Sequence, residues 1–460
     1  MGRLSRSVGL ALAGVCALPA CAWAQEPSAQ AVATAEAFVD QVTQGDFAAA
    51  AAMFDETVAA LMPAARLQEA WDGLVAAAGP FEQRTESRAT HQQGYDIVLV
   101  TCRFGGGSVD LRVVLDGRGR VAGLQFVPTA TSAEYQLPNY AHPDSYTERE
   151  VTVGEGEWAL PGTLTMPVGQ GPFPAVVLVH GSGPQDRDET IGPSKPFRDL
   201  AVGLASRGIG VLRYEKRTKE HGAEVAAMLD RLTAREETVD DALAAVALLR
   251  TTPGLDPQRL YVLGHSQGGT FAPRIGAADR QIAGLIIMAG AARPLEDLIL
   301  EQLAYVLPQQ IADPNEVAKQ LAQVRAQVER VKSPDLTPDT PREELPLGIP
   351  AGFWLDVRDY RPAEVARELP QRLLVLQGGR DYQVTEADFA LWEQALADRP
   401  NARLKLYPDL SHLFASGVGK ATPTEYMTEA KHVAGEVIRD LAEWILEPAA
   451  AAAPPGGGRP

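Results

Sequence analysis

The stretch that decides the fold is Leu260–Gly269, which reads LYVLGHSQGG. A short apolar run, typical of a buried strand, leads into Gly264-His265-Ser266-Gln267-Gly268, and a helical pattern follows. Glycines on both sides of Ser266 allow a strained strand-to-helix turn in which larger side chains would collide with neighbouring backbone. The turn also places the serine at a helix N-terminus, where the helix dipole favours developing negative charge. The sequence therefore predicts that Ser266 is a nucleophile.

Alternating strand and helix patterns extend from this turn in both directions, over residues 146–447. Continuous apolar runs are typical of strands buried on both faces of a parallel sheet, and right-handed crossovers join such strands through helices. We therefore expect a doubly wound, mostly parallel α/β sheet. The predicted strands are Ala175–Val179, Gly210–Arg213, Leu260–Leu263, Gly284–Met288, Arg372–Leu376 and Arg403–Tyr407, with Trp158–Thr165 as an edge strand.

One insertion interrupts this alternation, at about residues 293–365. A long helical pattern runs from Leu295 to Val331, and a proline-rich segment, Ser333–Pro350, follows it. The insertion lies between two predicted strands, and we expect it to form a helical cap over the carboxyl edge of the sheet.

The predicted base for the serine is His412. Serine at its ordinary pKa is a weak nucleophile, and it needs a base that an acid holds in place. Only His412 and His432 follow Ser266 in the chain. His412 comes just after the predicted strand Arg403–Tyr407, where a loop can reach back to the turn, whereas His432 falls in a helical pattern.

The predicted acid is Asp381, which closely follows the strand Arg372–Leu376. A carboxylate at this place lies at the same edge of a parallel sheet as the serine. Asp381 could instead cap the next helix, but Thr385 is better placed for that role. Glu386 and Asp388 fall inside the helical pattern and point less suitably.

An oxyanion hole requires backbone donors aimed at the oxygen of the tetrahedral intermediate. The N–H of Gln267, immediately after the nucleophile, is one candidate. The other lies in the loop after the strand Ala175–Val179, where Gly181 lets the chain bend close to a substrate carbonyl. We expect the N–H groups of Ser182 and Gln267 to form this hole.

Together these motifs resemble those of the α/β-hydrolase superfamily. HGSG, GHSQGG, GGRDYQV and DLSHLF each follow one predicted strand, and GSGPQDRD at residues 181–188 is similar to a subgroup of bacterial carboxylesterases. The resemblance covers roughly residues 146–446. It implies a triad of Ser266, Asp381 and His412 that hydrolyses small-molecule acyl esters through an acyl-enzyme, with no metal or organic cofactor.

Three further residues are candidates for the substrate pocket. Arg187 either joins Asp186 and Asp188 in a network that shapes the oxyanion loop, or it binds a carboxylate of the substrate. Trp354 and Tyr360 follow the predicted cap helices, and they either line the acyl pocket or pack as aromatic core.

Two other classes of function remain open on the sequence alone. Thioesterases, peptidases and acyltransferases use the same triad, because the pocket selects the leaving group. A non-enzymatic alternative is a binding protein in which the N-terminal unit captures a ligand and the hydrolase unit is vestigial.

Residues 25–130 predict a separate, small α+β domain, and the proline-containing residues 131–145 predict a linker. Helices followed by a meander of strands are typical of such a domain. The pattern is similar to the nuclear-transport-factor-like cone often found ahead of bacterial secreted hydrolases. The predicted helices are Ala31–Thr43 and Asp46–Met62, and the predicted strands are Tyr95–Phe104, Ser108–Asp116 and Val121–Val127.

The two ends of the chain carry different signals. Arginines near the start, an apolar run too short to be a permanent membrane span, and Ala22-Trp23-Ala24 predict a signal peptide over residues 1–24. We therefore expect a periplasmic or secreted protein. Leu18-Pro19-Ala20-Cys21 resembles a lipobox, so a lipid anchor on Cys21 is the alternative. Residues 448–460 are rich in Ala, Pro and Gly and predict a disordered tail.

Composition narrows the class of partner. The formal net charge of −17 disfavours phosphate backbones, so we expect no nucleic acid partner. Of the three cysteines, Cys16 and Cys21 lie in the signal segment, and no zinc-ligand spacing exists. Cys102 is expected to be a small buried apolar residue. The oligomeric state cannot be read from these features.

Overall fold

The computed structural model describes residues 29–92, 95–128, 135–311 and 313–448. The predicted signal peptide, Cys21 and all of the predicted tail except residue 448 lie outside the described residues, as does the 131–134 part of the predicted linker. Among the residues that are described, no helix is long and apolar enough to cross a bilayer.

The N-terminal unit is an α+β domain. Its helices are α1 (Ala29–Thr43), α2 (Phe47–Ala52), α3 (Glu56–Leu61) and α4 (Ala64–Ala78), and its antiparallel strands, in spatial order, are β1 (Phe81–Gln92), β2 (Tyr95–Phe104), β3 (Gly107–Leu115) and β4 (Val121–Pro128).

The predicted helix Asp46–Met62 is in fact two helices. The side chain of Asp46 accepts a hydrogen bond from Ala49 N, and that of Asp55 accepts one from Val58 N. Each aspartate therefore begins its own helix as an N-cap. The sequence analysis missed α4 and β1.

The four-stranded sheet packs against α1 and α4 through one apolar core. Phe38 and Val98 have no solvent exposure, and the rings of Trp71 and Phe104 pack at a tilt within that core. Cys102 is a free, buried thiol near the C-terminal end of β2, and burial raises the pKa of Cys102 to about 12. A thiol in such surroundings is protonated at neutral pH, so its role is packing.

The second unit is built on an eight-stranded sheet. Its strands are β5 (Tyr146–Val153), β6 (Leu160–Pro167), β7 (Phe173–Val179), β8 (Gly210–Tyr214), β9 (Leu255–His265), β10 (Gly284–Met288), β11 (Arg372–Gly378) and β12 (Ala402–Tyr407), in the spatial order β12-β11-β10-β9-β7-β8-β6-β5. The six strands from β12 to β8 are parallel, whereas β6 is antiparallel to both of its neighbours.

The prediction of an edge strand at Trp158–Thr165 is wrong in its position. This strand, β6, pairs with both β8 and β5, so β5 is the edge. The sequence of β5, YTEREVTV, is largely exposed and has only Val153 buried. Such a polar strand carries no buried apolar run, and charged side chains at an edge discourage pairing with other chains.

Helices cover both faces of this sheet, as a doubly wound fold requires. In chain order, the helices of this unit are α5 (Pro196–Ala205), α6 (Arg217–Glu220), α7 (Gly222–Ala227), α8 (Asp240–Thr251), α9 (Gln267–Ala278), α10 (Leu295–Gln310), α11 (Pro314–Lys332), α12 (Ala351–Val357), α13 (Pro362–Arg367), α14 (Glu386–Leu396), α15 (Pro423–Thr428) and α16 (Gly435–Leu446). Helices α5 and α16 share one core with the sheet, and α8, α9 and α14 share the other.

Helices α10 to α12 form the cap, and the predicted single helix Leu295–Val331 is two helices. Asp313 accepts a hydrogen bond from Asn315 N and Pro314 occupies the first position of α11, so a new helix begins there. The core of the cap also contains Phe271 of α9, Tyr382 and Leu413. The cap therefore packs over the carboxyl ends of the strands.

Candidate active site

Ser266 lies in a strained turn between β9 and α9. Its φ of 52° and ψ of −118° are unusual for a residue with a side chain. The turn is held because Ser266 N donates to Met288 O at 2.9 Å and Thr270 N donates to Ser266 O at 2.9 Å. Backbone strain of this kind persists only where the surroundings impose it, and it concentrates at functional sites.

The glycines around Ser266 are required by close backbone contacts. A Cβ atom on Gly264 would lie 2.1 Å from Gly268 O, and one on Gly268 would lie 2.2 Å from Val179 O. Helix α9 therefore begins in direct contact with the carboxyl end of β7. This contact brings the loop after β7 to the serine, and a Cβ on Gly181 would lie 3.2 Å from Ser266 Cβ.

Asp381 and His412 form a buried pair at the same edge of the sheet. His412 Nδ1 donates to Asp381 Oδ2 at 2.6 Å. The other oxygen of Asp381 accepts hydrogen bonds from Gln383 N and Val384 N at 2.7 and 3.1 Å. The carboxylate is therefore fixed by its own loop, and the Nε2 atom of His412 is the nitrogen left to exchange a proton with a neighbour.

The neighbours of the His412 backbone include two residues that the sequence analysis missed. Its carbonyl oxygen accepts a 2.9 Å hydrogen bond from His265 Nε2, and its N–H donates to the hydroxyl of Tyr426 at 3.3 Å. His265, one position before the nucleophile, thus ties the loop of His412 to the end of β9.

His265 also forms a buried ion pair with Glu189, another residue that was missed. His265 Nδ1 lies 2.8 Å from Glu189 Oε2. Burial lowers the pKa of His265, but the charge and hydrogen bond of Glu189 outweigh it and leave that pKa above its ordinary value. Both ring nitrogens thus face an acceptor, Nδ1 the Glu189 carboxylate and Nε2 the carbonyl oxygen of His412. The second oxygen of Glu189 accepts from Gly181 N at 2.6 Å.

A second buried ion pair, between Lys216 and Glu237, was also missed. Lys216 Nζ lies 2.7 Å from Glu237 Oε1 and donates to Gly181 O at 2.8 Å. Glu237 Oε2 accepts a 2.6 Å hydrogen bond from the side chain of Gln267. These contacts join residues that are far apart in sequence, and no local motif marks them.

The serine opens into a narrow cavity of about 60 Å³ beneath the cap. Ser266, Ser182 and Gln267 line it together, and most of the other lining residues are apolar. Its apolar lining consists of Phe271, Leu295, Leu298, Ile299, Leu347, Ile349, Phe353, Val357, Pro362 and Val384, and its further polar lining of Glu237, Thr270, Arg293, Gln302 and Tyr360.

Of the three residues predicted for the pocket, only Tyr360 lines this cavity. Its hydroxyl donates to Thr270 O at 2.9 Å. Trp354 has no solvent exposure and packs inside the cap, so its placement in the pocket is corrected to the core.

Arg187 is likewise absent from the lining. It binds Glu215, Glu150 and Thr163 with distances of 2.6 to 2.7 Å, so its guanidinium is held by this network rather than presented to the cavity. Asp186 closes its own loop by accepting from Thr190 N and Asp188 N.

The alternative residues for base and acid have other partners. His432 lies outside any helix, contrary to prediction, and its Nδ1 donates to the buried Asp199 at 2.9 Å. Asp388 accepts from Ala292 N and Arg293 N at 3.0 Å, which holds the loop after β10. Within the described ranges, no group of three or more His, Cys, Asp or Glu side chains is arranged to hold a metal ion.

Comparison with known proteins finds matches to both units of the chain. Residues 35–124 match the family described as "Protein of unknown function (DUF3887)", and residues 176–418 match the one described as "Alpha/beta hydrolase family". The chain is 40% identical over 411 residues to Esterase EstD of Thermotoga maritima. The aligned region covers 89% of this chain and 94% of that protein.

Solved structures are similar at much lower sequence identity. Est1E from Butyrivibrio proteoclasticus is 16% identical with a TM-score of 0.41, covering 65% of this chain and 99% of its own. The hyperthermophilic esterase from Pyrobaculum calidifontis is 14% identical with a TM-score of 0.41, and the match covers 69% of this chain and 88% of that one. The match to the family over more than half of the sequence, together with the relative at 40% identity, shows that the chain belongs to the alpha/beta hydrolase family.

Proposed function

We propose that this protein is a serine esterase in which Ser266, His412 and Asp381 act as nucleophile, base and acid. The observation that carries the proposal is the buried 2.6 Å hydrogen bond between His412 and Asp381, at the same sheet edge as the strained Ser266 turn. Esterase EstD, the relative that matches 89% of the chain, is named for ester hydrolysis. We infer the same class of reaction here.

In the proposed mechanism His412 removes the proton of the Ser266 hydroxyl as its oxygen attacks the ester carbonyl. Because Nδ1 donates to Asp381, the neutral ring carries its lone pair on Nε2, which is the tautomer that a base requires. Asp381 then stabilises the imidazolium. The protonated ring passes its proton to the departing alcohol, and the neutral ring next activates the water that releases the acid from Ser266.

The negative charge of the tetrahedral intermediate requires its own donors. We propose the N–H groups of Ser182 and Gln267, since both residues line the cavity with Ser266 and since Gln267 begins α9. The N-terminus of a helix favours negative charge. Loss of one such donor typically costs about 3 kcal/mol of transition-state stabilisation.

The acyl group of the substrate is proposed to occupy the cavity beneath the cap. Its walls are supplied mainly by leucine, isoleucine, valine and phenylalanine side chains, which favour an apolar acyl chain. The charged lining residues already have partners: Arg293 binds Asp388, and Glu237 binds Lys216. A small uncharged acyl ester fits this lining better than an ionic substrate does.

Labelling with a fluorophosphonate probe tests the nucleophile. We expect stoichiometric labelling of the wild-type protein and none of Ser266→Ala, because the probe captures an activated serine. Ser206→Ala, which changes a serine at the C-terminal end of α5, serves as the control and is expected to label normally. An unlabelled wild-type protein that is folded would refute the proposal.

A substrate panel separates esterase activity from the other functions of the same triad. We expect turnover of nitrophenyl esters to exceed that of aminoacyl anilides and of acyl-CoA thioesters. Strong anilide cleavage with negligible ester cleavage would favour a peptidase instead. Deletion of residues 25–130 in the same panel asks whether the N-terminal unit contributes to activity.

Export is a separate proposal. We infer that residues 1–24 direct the protein to the periplasm or the medium and are removed after Ala24. Support comes from the sequence alone, through the arginines, the apolar run and the small residues at the cleavage site. Mass spectrometry of the mature N-terminus distinguishes cleavage before Gln25 from a lipid-modified Cys21.

A further inference from the structure

The feature that the proposed mechanism leaves unexplained is the buried Lys216–Glu237 pair. Both side chains are only 2% exposed. A buried ion pair loses hydration that its own attraction seldom exceeds, and well-packed apolar residues often serve stability equally well. The stability of the fold therefore does not explain why Lys216 and Glu237 are buried here as charged residues.

The position of the ammonium group suggests a reason. Lys216 Nζ donates to Gly181 O at 2.8 Å. This oxygen and the N–H of Ser182 belong to the same peptide unit, which is planar and trans. In such a unit the C=O and N–H bonds point in opposite directions. An ammonium that fixes the oxygen on one side therefore fixes the direction of the Ser182 N–H on the other.

The preceding peptide unit is held as well. Gly181 N donates to Glu189 Oε1 at 2.6 Å, and the other oxygen of Glu189 pairs with His265. Gly181 is therefore held by two opposite charges, since its N–H donates to the Glu189 carboxylate and its C=O accepts from the Lys216 ammonium. Because Gly181 is held at its N–H and at its C=O, the Gly181–Ser182 peptide cannot rotate without breaking a buried contact.

Glu237 connects the pair to the second proposed donor residue. Its Oε2 accepts from the Gln267 side chain at 2.6 Å, while its Oε1 contacts Lys216. The Glu237 carboxylate therefore contacts the Gln267 side chain directly and is linked to the Gly181–Ser182 peptide through Lys216. It also gives the ammonium a fixed counter-charge, which keeps the ammonium on the Gly181 oxygen.

We propose that Lys216, held in place by Glu237, is a positioning residue for the oxyanion hole. The inference rests on the proposed esterase function. A cation on a carbonyl oxygen draws electrons from the peptide and makes its N–H a stronger donor. The gain is largest when the substrate oxygen carries a full negative charge, so it lowers the barrier more than it strengthens substrate binding.

The test is the paired variant Lys216→Met with Glu237→Gln, which removes both charges and leaves no unpaired ion. We expect kcat to fall by about 10- to 100-fold while KM changes by less than about threefold, since only the transition state loses an interaction. The affinity for a trifluoromethyl ketone, which forms a tetrahedral oxyanion on the serine, should fall by the same factor as kcat/KM.

Two further variants make the result specific. Lys216→Arg retains the charge and the donor, so it should recover a large part of kcat. Lys319→Met removes an exposed lysine of the cap and should leave kcat and the ketone affinity unchanged. A folded double variant with wild-type kcat and wild-type ketone affinity would overturn the proposal.

If the variant that carries Lys216→Met and Glu237→Gln does not fold, kcat and ketone affinity are measured on a second variant. Lys216→Gln combined with Glu237→Gln can still donate to Gly181 O, lacks both charges and leaves no unpaired ion, and we expect an intermediate loss of kcat and ketone affinity. Wild-type values for that variant would overturn the proposal equally. Failure of the esterase proposal itself is distinguishable, because the wild-type protein would then not react with the fluorophosphonate probe.

Discussion

The Nδ1 atom of His412 donates a 2.6 Å hydrogen bond to Oδ2 of Asp381, and the two side chains are 3% and 0% exposed. No bulk water competes for this bond, so the imidazole has one orientation and one favoured tautomer. The backbone of His412 is also held, by His265 and by Tyr426. The geometry of the proposed base is thus determined before any substrate binds.

Asp381→Asn is expected to reduce kcat by about 10³- to 10⁴-fold while the protein stays folded. The amide keeps the shape of the carboxylate, but it favours the tautomer of His412 that has its proton on Nε2. Ester hydrolysis with a nitrophenyl substrate measures the loss. Asp359→Asn, at a side chain that is 88% exposed, is the matched control and should have wild-type kcat. Near-normal activity of Asp381→Asn would exclude this carboxylate as the acid of the triad.

Gly181→Ala is expected to lower kcat by about 100-fold, with a small effect on thermal stability. The new Cβ would lie 3.2 Å from both Ser266 Cβ and Glu189 Oε1, so either the serine or the oxyanion loop must shift. A shift of about 1 Å at reacting groups can cost about two orders of magnitude in rate. The kinetic comparison is with Gly117→Ala, where a Cβ would have no neighbour within 4 Å. Equal activities of the two variants would refute the tight approach.

The parts of the site that could be predicted from the sequence are those that local motifs carry. Ser266, Asp381 and His412 each follow a strand whose apolar run is clear, and parallel strands bring their carboxyl ends to one edge. The predicted contact between Asp381 and His412 is present. Strand β10 has the predicted bounds, Gly284–Met288.

The parts that were missed depend on contacts between distant segments. Glu189 and Lys216 come from different loops and meet at Gly181 only in the folded chain. Their charges would have been assigned to solvent on sequence alone, because charged residues are rarely buried unless paired. Strand β5 was missed for a related reason, since an exposed edge strand needs no apolar run.

Phe353→Ala is expected to shift the substrate preference towards longer acyl chains. The phenyl ring lines the cavity from α12, and its removal opens space for additional methylene groups. Room for two methylenes corresponds to about 1.6 kcal/mol, or an increase of roughly tenfold in the ratio of kcat/KM for octanoate to that for hexanoate. A series of nitrophenyl esters measures this ratio.

The control for that experiment is Trp354→Phe, at the next position of α12. Trp354 packs inside the cap and does not line the cavity, so its replacement should leave the chain-length profile unchanged. If Trp354→Phe changes the chain-length profile and Phe353→Ala does not, acyl chains bind elsewhere in the cap.

His432→Gln is expected to remove one pH-dependent contribution to folding stability. The hydrogen bond to Asp199 and the charge of that carboxylate raise the pKa of His432 above its ordinary value, against the effect of burial. A histidine with a raised pKa in the folded state stabilises the fold fully below its unfolded pKa of about 6.5, and the contribution is lost as pH rises through the folded pKa. The difference in Tm between wild type and variant should therefore be largest near pH 5.5 and shrink above neutrality. His142→Gln is the control, and a wild-type advantage that stays constant from pH 5.5 to 9 would contradict the assignment.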